Sequence, residues 1–269
     1  MLMLAQVRGW VKRHPDDYLL VATADDVQRA HREGKLGVCF DIEGASAVAE
    51  QHGLVQLYYD LGVRWMLLAY NRNNAHGGGC HDDDAGLTPR GSRLLREMAD
   101  SGIVACASHA GPLTARAIID ASPNPVIFSH SNARALHDHP RNVGDDVIRA
   151  CAARGGVVCI NGISLFLGTQ TGLADAVARH ADHVAQLVGP AHVGFGLDYI
   201  YDQQELTEYL EKMRHTFPAD GGYSADMTML APEGFADVVT ALRQRGWSDA
   251  ALAQACGGNL QRIAEQVWK

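Results

Sequence analysis

Residues 103–130 read IVACASHAGPLTARAIIDASPNPVIFSH, and this stretch decides the fold. Two short apolar runs, Ile103–Ser108 and Val126–Ser129, flank a stretch with helical periodicity, Pro112–Ala121. Apolar runs of about four to eight residues are typical of strands that are buried on both faces of a parallel sheet. The stretch therefore predicts one β-α-β unit, and a histidine follows each of its strands directly.

The same alternation continues on both sides of this unit, without a linker or a low-complexity tract. The other apolar runs are Leu36–Ile42, Val63–Tyr70, Gly156–Asn161 and His192–Leu197, and the other helix-like stretches are Asp25–Glu33, Ala45–Leu61, Ser92–Ser101, Asp145–Arg154, Leu173–Val188, Pro232–Arg245 and Ser248–Val267. Such a series favours an α/β fold, either a (β/α)8 TIM-like barrel or a doubly wound sheet. No GxGxxG follows the first run, so dinucleotide binding loses support.

Length and composition restrict the class of protein further. The 269 residues, 47% of them hydrophobic, suffice for one large barrel, and we expect a single domain over residues 1–269. A net charge of -8 without Lys/Arg runs disfavours nucleic-acid binding. No apolar run approaches the roughly 18 residues of a membrane span, and the start is too short for a signal-peptide core. We therefore expect a soluble, cytoplasmic protein without a membrane partner.

Ionisable residues follow four of the apolar runs directly: Glu43, His109, His130 and Asp198. Functional residues of such barrels gather at the carboxyl ends of the strands. Two imidazoles and one carboxylate are a common catalytic zinc set, and the metal lowers the pKa of a water in the fourth position. We predict a metal site from Glu43, His109 and His130. Asp198 is predicted either to transfer a proton to a leaving amine or to cap a helix.

Several motifs resemble the renal, or membrane, dipeptidase family. They are Glu43-Gly44 after a strand, FSHSNARAL at residues 128–136, HPRNV at 139–143, HVGFGLD at 192–198 and Gly257-Gly258-Asn259. The resemblance runs from about residue 23 to the C-terminus and is most specific from 130 to 147. It implies a (β/α)8 barrel that binds two zinc ions, forms a homodimer and cleaves dipeptides, including some with a D-residue at the second position.

The resemblance also assigns roles to individual residues. It makes Glu43 the carboxylate that bridges the two metal ions, and His109 and His130 the ligands that complete one metal site. Asp198 would transfer the proton. Arg141 would bind the terminal carboxylate of the substrate, a task that suits a bidentate guanidinium, although a surface ion pair is the alternative.

The chain departs from the family at its N-terminus. The family begins with a strand that ends in His-x-Asp and supplies the other ligands of the second metal, whereas only the superficial match His14-Pro15-Asp16 occurs here. We expect one complete zinc site, a doubtful second one, and a barrel that is incomplete or distorted at its first strand. Four alternatives follow for the position of the missing first strand. Residues Met1–Val11 occupy it, another subunit pairs there, the remaining strands close as a distorted barrel, or the natural protein is longer.

A second departure is Tyr70, which stands where animal members of the family carry a histidine that polarises the substrate carbonyl. Tyr70 either donates a hydrogen bond to the developing oxyanion or serves as a packing residue. The following loop, HGGGCHDDD at residues 76–84, is predicted to be flexible and solvated on the substrate side, with a separate metal site as the alternative. His139 is expected to orient Arg141.

The sequence therefore predicts a zinc-dependent dipeptidase acting on small dipeptides. Two alternatives stay open. The first is a catalytically silent dipeptidase-like barrel that binds ligands without turnover. The second is a related amidohydrolase that acts on another small amide.

Overall fold

The architecture is a parallel sheet surrounded by helices, seen in a computed structural model that describes residues 2–48, 51 and 53–269. The strands are β1 (Tyr18–Leu20), β2 (Leu36–Val38), β3 (Phe40–Ile42), β4 (Val63–Leu67), β5 (Val104–Cys106), β6 (Ile127–Phe128), β7 (Val157–Ile160) and β8 (Val193–Phe195). The helices are α1 (Leu2–Arg13), α2 (Ala24–Arg32), α3 (Leu54–Asp60), α4 (Pro89–Ser101), α5 (Pro112–Ala121), α6 (Asp145–Ala153), α7 (Ser164–Leu167), α8 (Leu173–Val188), α9 (Gln203–Lys212), α10 (Phe235–Gln244), α11 (Asp249–Ala253) and α12 (Asn259–Val267). Short 3₁₀ turns cover Ala45–Ala47, Pro190–His192, Ala219–Gly221 and Pro232–Gly234, and a π-helical turn covers Gln254–Gly258.

The strands pair in parallel and in chain order. Strands β3 to β8 form one sheet, and β1 pairs with β2 in a second, two-stranded sheet. The order of a doubly wound sheet reverses at a switch point, so the sequential order here excludes that alternative. Among the residues that the structure describes, no backbone pairing joins β8 to β1, and closure of a barrel is not observed there.

The apolar run Leu36–Ile42, predicted as one strand, is interrupted at Cys39. Strand β2 pairs with β1, and β3 pairs with β4, with a shift of register between Phe40 and Asp41. Two short strands therefore turn toward different neighbours, and Glu43 follows the second of them.

Side chains alternate between two cores along the strands. On the outer face, residues such as Met66, Phe128 and Ile160 pack against the surrounding helices. On the inner face, the smaller cluster contains Val104 and Ile127 and packs against α12. This alternation gives nearly continuous apolar runs, because both faces of the sheet are buried.

The region predicted as one helix over Ala45–Leu61 is divided instead. A 3₁₀ turn covers Ala45–Ala47, and α3 begins only after Gly53, which is its N-cap rather than its end. Residues 49, 50 and 52, which also belong to the predicted helix, lie outside the described residues. Gly44 has φ 102°, a conformation that favours glycine and ends the strand sharply just after Glu43.

The N-terminal segment is helical as far as the structure describes it. Helix α1 packs beside β1, and Arg8 donates a hydrogen bond to the carbonyl of Leu61. The superficial match at His14 and Asp16 lies exposed in the turn after α1, and no strand leads into it. No helix among the described residues combines the length and hydropathy that a membrane span requires.

A long connection between β8 and α10 has structure that the sequence pattern did not reveal. We call residues 199–230 the strap; it contains α9 and one 3₁₀ turn. The strap has an apolar core of its own, which includes Leu206, Leu210 and Phe217 and packs on Phe166 of α7. The strap is thereby fixed over the carboxyl ends of the strands.

Candidate metal centre

The three predicted metal ligands converge at the carboxyl ends of β3, β5 and β6. His130 Nε2 lies 2.8 Å from His109 Nε2 and 3.3 Å from Glu43 Oε1. The three ligand atoms lie within 4.8 Å of one another, and no other histidine, cysteine or carboxylate cluster of this size occurs in the described part of the chain. A tetrahedral zinc ion with bonds of about 2.0–2.2 Å holds its ligand atoms roughly 3.3–3.6 Å apart. The distance between His130 and Glu43 matches this spacing, whereas the two Nε2 atoms would have to move apart by about half an ångström to bind zinc with tetrahedral geometry.

The second nitrogen of each imidazole also has an oxygen partner. His109 Nδ1 lies 2.7 Å from Asn71 Oδ1, and His130 Nδ1 lies 2.8 Å from Ser129 Oγ. Histidines that bind metals usually donate their other N–H to such an oxygen. With both Nδ1 atoms protonated, the two Nε2 lone pairs would face the same point and could both bind a cation; with the proton of His130 on Nε2, the 2.8 Å contact is a hydrogen bond between the imidazoles. Two imidazoles and a carboxylate are a donor set that fits a divalent metal.

Burial sets the charge state of the cluster. It lowers the pKa of His109 well below its usual value and that of His130 to about 4, with the Arg141 cation acting in the same direction. Although 37% of the Glu43 side chain is accessible, burial of the carboxyl group raises its pKa, and the Asp198 and Asp41 carboxylates reinforce the effect. Burial therefore favours neutral imidazoles, the state that binds metals, and the Arg141 cation offsets only part of the effect that burial and the neighbouring carboxylates have on the pKa of Glu43.

Strained backbone is concentrated at the same place. Within the described residues, the non-glycine residues with positive φ are Asn71 (57°), His109 (67°) and Asp198 (58°). Each follows a strand, and the left-handed conformation turns the chain sharply where the strand ends. Such conformations are sparsely populated by residues other than glycine and cluster at functional sites. A shared conformation at three strand ends therefore marks this rim as the functional part of the molecule.

Asp198 lies beside the cluster and is held by a neighbouring strand end. Asn161, directly after β7, donates a hydrogen bond from Nδ2 to Asp198 Oδ2 at 2.9 Å. The alternative role as a helix cap is wrong, because Asp202 caps α9 by accepting from the backbone N–H groups of its first turn. The Asp198 charge also acts on the pKa values of Glu43 and His130, so the three groups share one electrostatic environment.

Arg141 is buried, with 3% of its surface exposed, so a surface ion pair is excluded. Its Nη2 donates to the His130 carbonyl at 3.3 Å, and its guanidinium lies 5.2 Å from the centre of the Phe166 ring. Within the described residues, Nε and Nη1 have no hydrogen-bond partner. His139 Nδ1 accepts from the Arg141 backbone N–H, and His139 Nε2 lies 3.0 Å from the strap carbonyl of Gly221. A buried cation with two free donors is a site for an anionic group.

Tyr70 lies against the predicted metal ligands. Its ring stacks on the His109 imidazole with centroids 4.1 Å apart and meets Phe217 of the strap edge-on. Burial raises the pKa of the phenol, so the hydroxyl keeps its proton. The ring therefore packs on a metal ligand, and the hydroxyl has a proton to donate, so both predicted roles fit this placement.

The glycine-rich loop is anchored rather than flexible and solvated, which corrects that prediction. The Asp84 carboxylate accepts hydrogen bonds from the backbone and side chain of Thr114 and from the Gly86 backbone. Gly78 and Gly111 approach this carboxylate so closely that a Cβ at either position would lie 2.2–2.3 Å from an Asp84 oxygen. The separate metal site considered for this loop is not formed by the described residues.

Sequence reasoning missed the asparagines that support the site. Asn71 and Asn161 each stand at the end of an apolar run, in the position that singled out the four ionisable residues. His81 and Tyr223 were also missed; His81 Nε2 lies 2.7 Å from the Tyr223 hydroxyl and links the loop to the strap. A search for amide residues, as well as ionisable ones, at the ends of apolar runs would have found the asparagines. The pairing of His81 with Tyr223 spans 142 positions and leaves no local signal.

Comparisons with known proteins agree with this geometry. The dipeptidase verJ of Clonostachys rogersoniana is 28% identical over 266 residues, which cover 96% of this chain and 62% of that protein. An uncharacterized dipeptidase of Schizosaccharomyces pombe is 31% identical over 250 residues, covering 91% of this chain and 54% of that protein. The chain thus spans less than two thirds of the length of these relatives.

A solved structure of an amidohydrolase from Pseudomonas aeruginosa superposes with a TM-score of 0.88 and 26% identity, covering 98% of this chain and 83% of that one. This likeness confirms the predicted TIM-like α/β fold. The family model of the membrane dipeptidases matches residues 3–215, well over half of the chain. The resemblance inferred from the motifs is therefore confirmed, and the protein belongs to the membrane dipeptidase family, Peptidase family M19.

Proposed function

We propose that this protein is a metal-dependent dipeptidase that hydrolyses small dipeptides, including dipeptides with a C-terminal D-residue. One observation carries the proposal: the ligand atoms of Glu43, His109 and His130 lie within 4.8 Å of one another beside the buried, half-satisfied guanidinium of Arg141. A metal site next to a carboxylate-binding cation suits a substrate in which an amide bond and a free carboxylate are one residue apart.

Metal binding and substrate binding are assigned to different side chains. Glu43, His109 and His130 would hold a zinc ion, which when bound lowers the pKa of a water and polarises a carbonyl group. Arg141 binds the terminal carboxylate of the dipeptide through its guanidinium, whose Nε and Nη1 have no other partner among the described residues, and thereby fixes the scissile bond. Charge-assisted hydrogen bonds of this kind are stronger than neutral ones.

Two further groups act on the reacting amide. Asp198, oriented by Asn161, carries the proton to the leaving amine, a transfer that contributes roughly 10²–10⁴-fold in enzymes. Tyr70 donates a hydrogen bond from its hydroxyl group to the carbonyl oxygen as negative charge develops on that oxygen. Its stacking on His109 keeps the phenol at a fixed distance from the metal ligands.

The first test combines metal analysis with turnover. The wild-type protein should retain close to one equivalent of zinc after dialysis and hydrolyse L-Ala–D-Ala, L-Ala–L-Ala or Gly–D-Ala. In Glu43→Gln, zinc content should fall and hydrolysis should decrease by roughly 10²–10³-fold, because a metal ion supplies several kcal/mol of transition-state stabilisation. Glu33→Gln is the matched control, since Glu33 lies on the surface at the end of α2 and pairs with Lys35.

The outcomes separate the candidate functions. Zinc-loaded protein that cleaves none of the dipeptides overturns the proposal. Binding of a dipeptide without turnover would then indicate a silent barrel, and cleavage of other small amides alone would indicate a different amidohydrolase. Zinc as the bound ion and a homodimer stay predictions from the resemblance, and a cytoplasmic location stays a prediction from the sequence composition. Light scattering on the purified protein tests the homodimer.

A further inference from the structure

Asn71 occupies an unusual position between the metal site and the strap. It follows Tyr70 after β4, is fully buried and has φ 57°. Its Oδ1 lies 2.7 Å from His109 Nδ1, and its Nδ2 donates to the backbone carbonyl of Thr216 in the strap at 3.2 Å. One amide side chain thus connects a metal ligand to a segment 145 residues further along the chain.

The network fixes which way this amide points. A backbone carbonyl only accepts, so the group that faces Thr216 must be the NH₂ of Asn71. The amide oxygen then faces His109, where Cys80 Sγ also approaches it at 3.5 Å as a donor. An amide oxygen only accepts, so His109 must carry its proton on Nδ1. The lone pair of Nε2 is thereby directed at the predicted metal position.

The other histidine ligand is not constrained in the same way. His130 Nδ1 faces the hydroxyl of Ser129, which can donate or accept by rotating. The Ser129 contact is therefore compatible with either tautomer of His130. Asn71 therefore fixes the tautomer of His109, whereas Ser129 does not fix the tautomer of His130.

We propose that Asn71 is a positioning residue that holds His109 in the Nδ1–H tautomer and couples this ligand to the closed strap. The inference rests on the proposed metal site, and it names a residue that acts through His109 rather than on the substrate. Movement of the strap away from Asn71 would remove the Thr216 acceptor and release the amide to flip. Zinc affinity would then depend on the seating of the strap.

Two substitutions separate the tautomer role from a structural one. Asn71→Gly retains the left-handed backbone and removes the acceptor. Asn71→Asp retains an acceptor for His109 and loses the donor to Thr216, and aspartate also tolerates the left-handed conformation. We expect zinc affinity, measured by competition with a chromophoric chelator, to fall roughly 10–100-fold in Asn71→Gly and to recover in part in Asn71→Asp, which keeps the His109 tautomer without the strap contact.

A spectroscopic readout makes the test independent of activity. In metal-free protein labelled with ¹⁵N-histidine, His109 should show the shifts of a single Nδ1–H tautomer in the wild type and in Asn71→Asp, but a mixture in Asn71→Gly. Asn73→Ala is the matched control: the Asn73 side chain hydrogen-bonds to Gly79 and Asp83 and, among the described residues, to no histidine, so zinc affinity should stay within twofold.

The proposal is overturned if folded Asn71→Gly keeps both its zinc affinity and a single His109 tautomer, or if folded Asn71→Asp shows a mixture of His109 tautomers. Because the tautomer is measured without metal or substrate, it remains informative if the protein cleaves no dipeptide. Failure of the proposed function would instead appear as wild-type protein that shows the single tautomer but neither retains zinc nor hydrolyses any dipeptide.

Discussion

The two ends of the central sheet differ sharply. The rim, formed by the residues at the carboxyl ends of the strands, contains ionisable groups, left-handed backbone and a dense hydrogen-bond network. The floor is apolar: a cleft with room of about 400 Å³ lies between the β1–β2 pair, the inner face of β4 to β6, and α12. Trp65, Val104 and Ile127 line this cleft. The same short strands therefore support chemistry at one end and packing at the other.

This division implies that substitutions at the rim should affect activity, and that substitutions at the floor should affect stability. Strand β6 and the residues that follow it include both kinds, since Ile127 in the strand faces the floor and His130, two positions after the strand ends, belongs to the rim. Rim substitutions that preserve shape should change zinc binding or turnover and leave unfolding nearly unaltered. Floor substitutions should do the reverse, because packing in the interior is tight and each lost methylene is felt.

The largest effect is expected at Asp198. Asp198→Asn keeps the size of the side chain and removes the group that carries the proton, so kcat should fall by roughly 10²–10⁴-fold with little change in KM. Zinc content and the unfolding midpoint should match the wild type. Asp202→Asn, four positions along the same connection, keeps a good N-cap on α9 and should leave kcat unaltered. A kcat within threefold of wild type in Asp198→Asn would refute the proton-transfer role.

A smaller effect is expected at Arg141. Arg141→Lys keeps the positive charge and loses the paired N–H donors, so kcat/KM should fall by about 10–100-fold, mainly through KM, because hydrogen bonds to charged groups contribute about 1.5–3 kcal/mol. On a dipeptide amide, which lacks the free carboxylate, the kcat/KM of the variant should differ far less from that of the wild type. Arg134→Lys is the control, since Arg134 forms an exposed pair with Asp138. An equal loss on the amide substrate would contradict carboxylate recognition.

The smallest change in activity is expected on the floor. Ile127→Ala should lower the free energy of unfolding by about 2–3 kcal/mol, near the lower end of such losses because the side chain already borders a cleft. Zinc affinity and kcat should stay within twofold. Ile127→Val should lower the free energy of unfolding by only about 0.5–1.5 kcal/mol. Chemical denaturation measures both, and a tenfold loss of zinc affinity in folded Ile127→Ala would show that floor and rim are coupled through β6.

The rim was largely predictable because its signal is local. An apolar run followed at once by Glu43, His109, His130 or Asp198 can be found without knowledge of tertiary contacts, and the structure brings the first three together. The alternation of strands and helices was predictable for the same reason. Interruption of the first run at Cys39 was not, because it depends on β2 and β3 pairing with different neighbours.

The strap and its connections escaped prediction for a physical reason. Its helix α9 is short and mostly polar, and its stability derives from packing on Phe166 rather than from a strong pattern of its own. The hydrogen bond from Asn71 to Thr216 joins distant parts of the chain. Its acceptor is a backbone carbonyl, a group that every residue type carries, so the residue type at position 216 gives no signal. Anchoring of the glycine-rich loop by Asp84 likewise depends on Thr114, thirty positions away.

The left-handed residues at the rim also affect how this molecule would respond to laboratory evolution. Glycine adopts this conformation without steric cost, whereas histidine at φ 67° does not. Glycine at position 109 would relieve the backbone conformation, but it would leave a cavity beside the Tyr70 ring and deprive the buried Asn71 Oδ1 of its imidazole partner. A library selected for thermal tolerance should therefore retain these side chains for the buried contacts that they make, even where turnover is not selected.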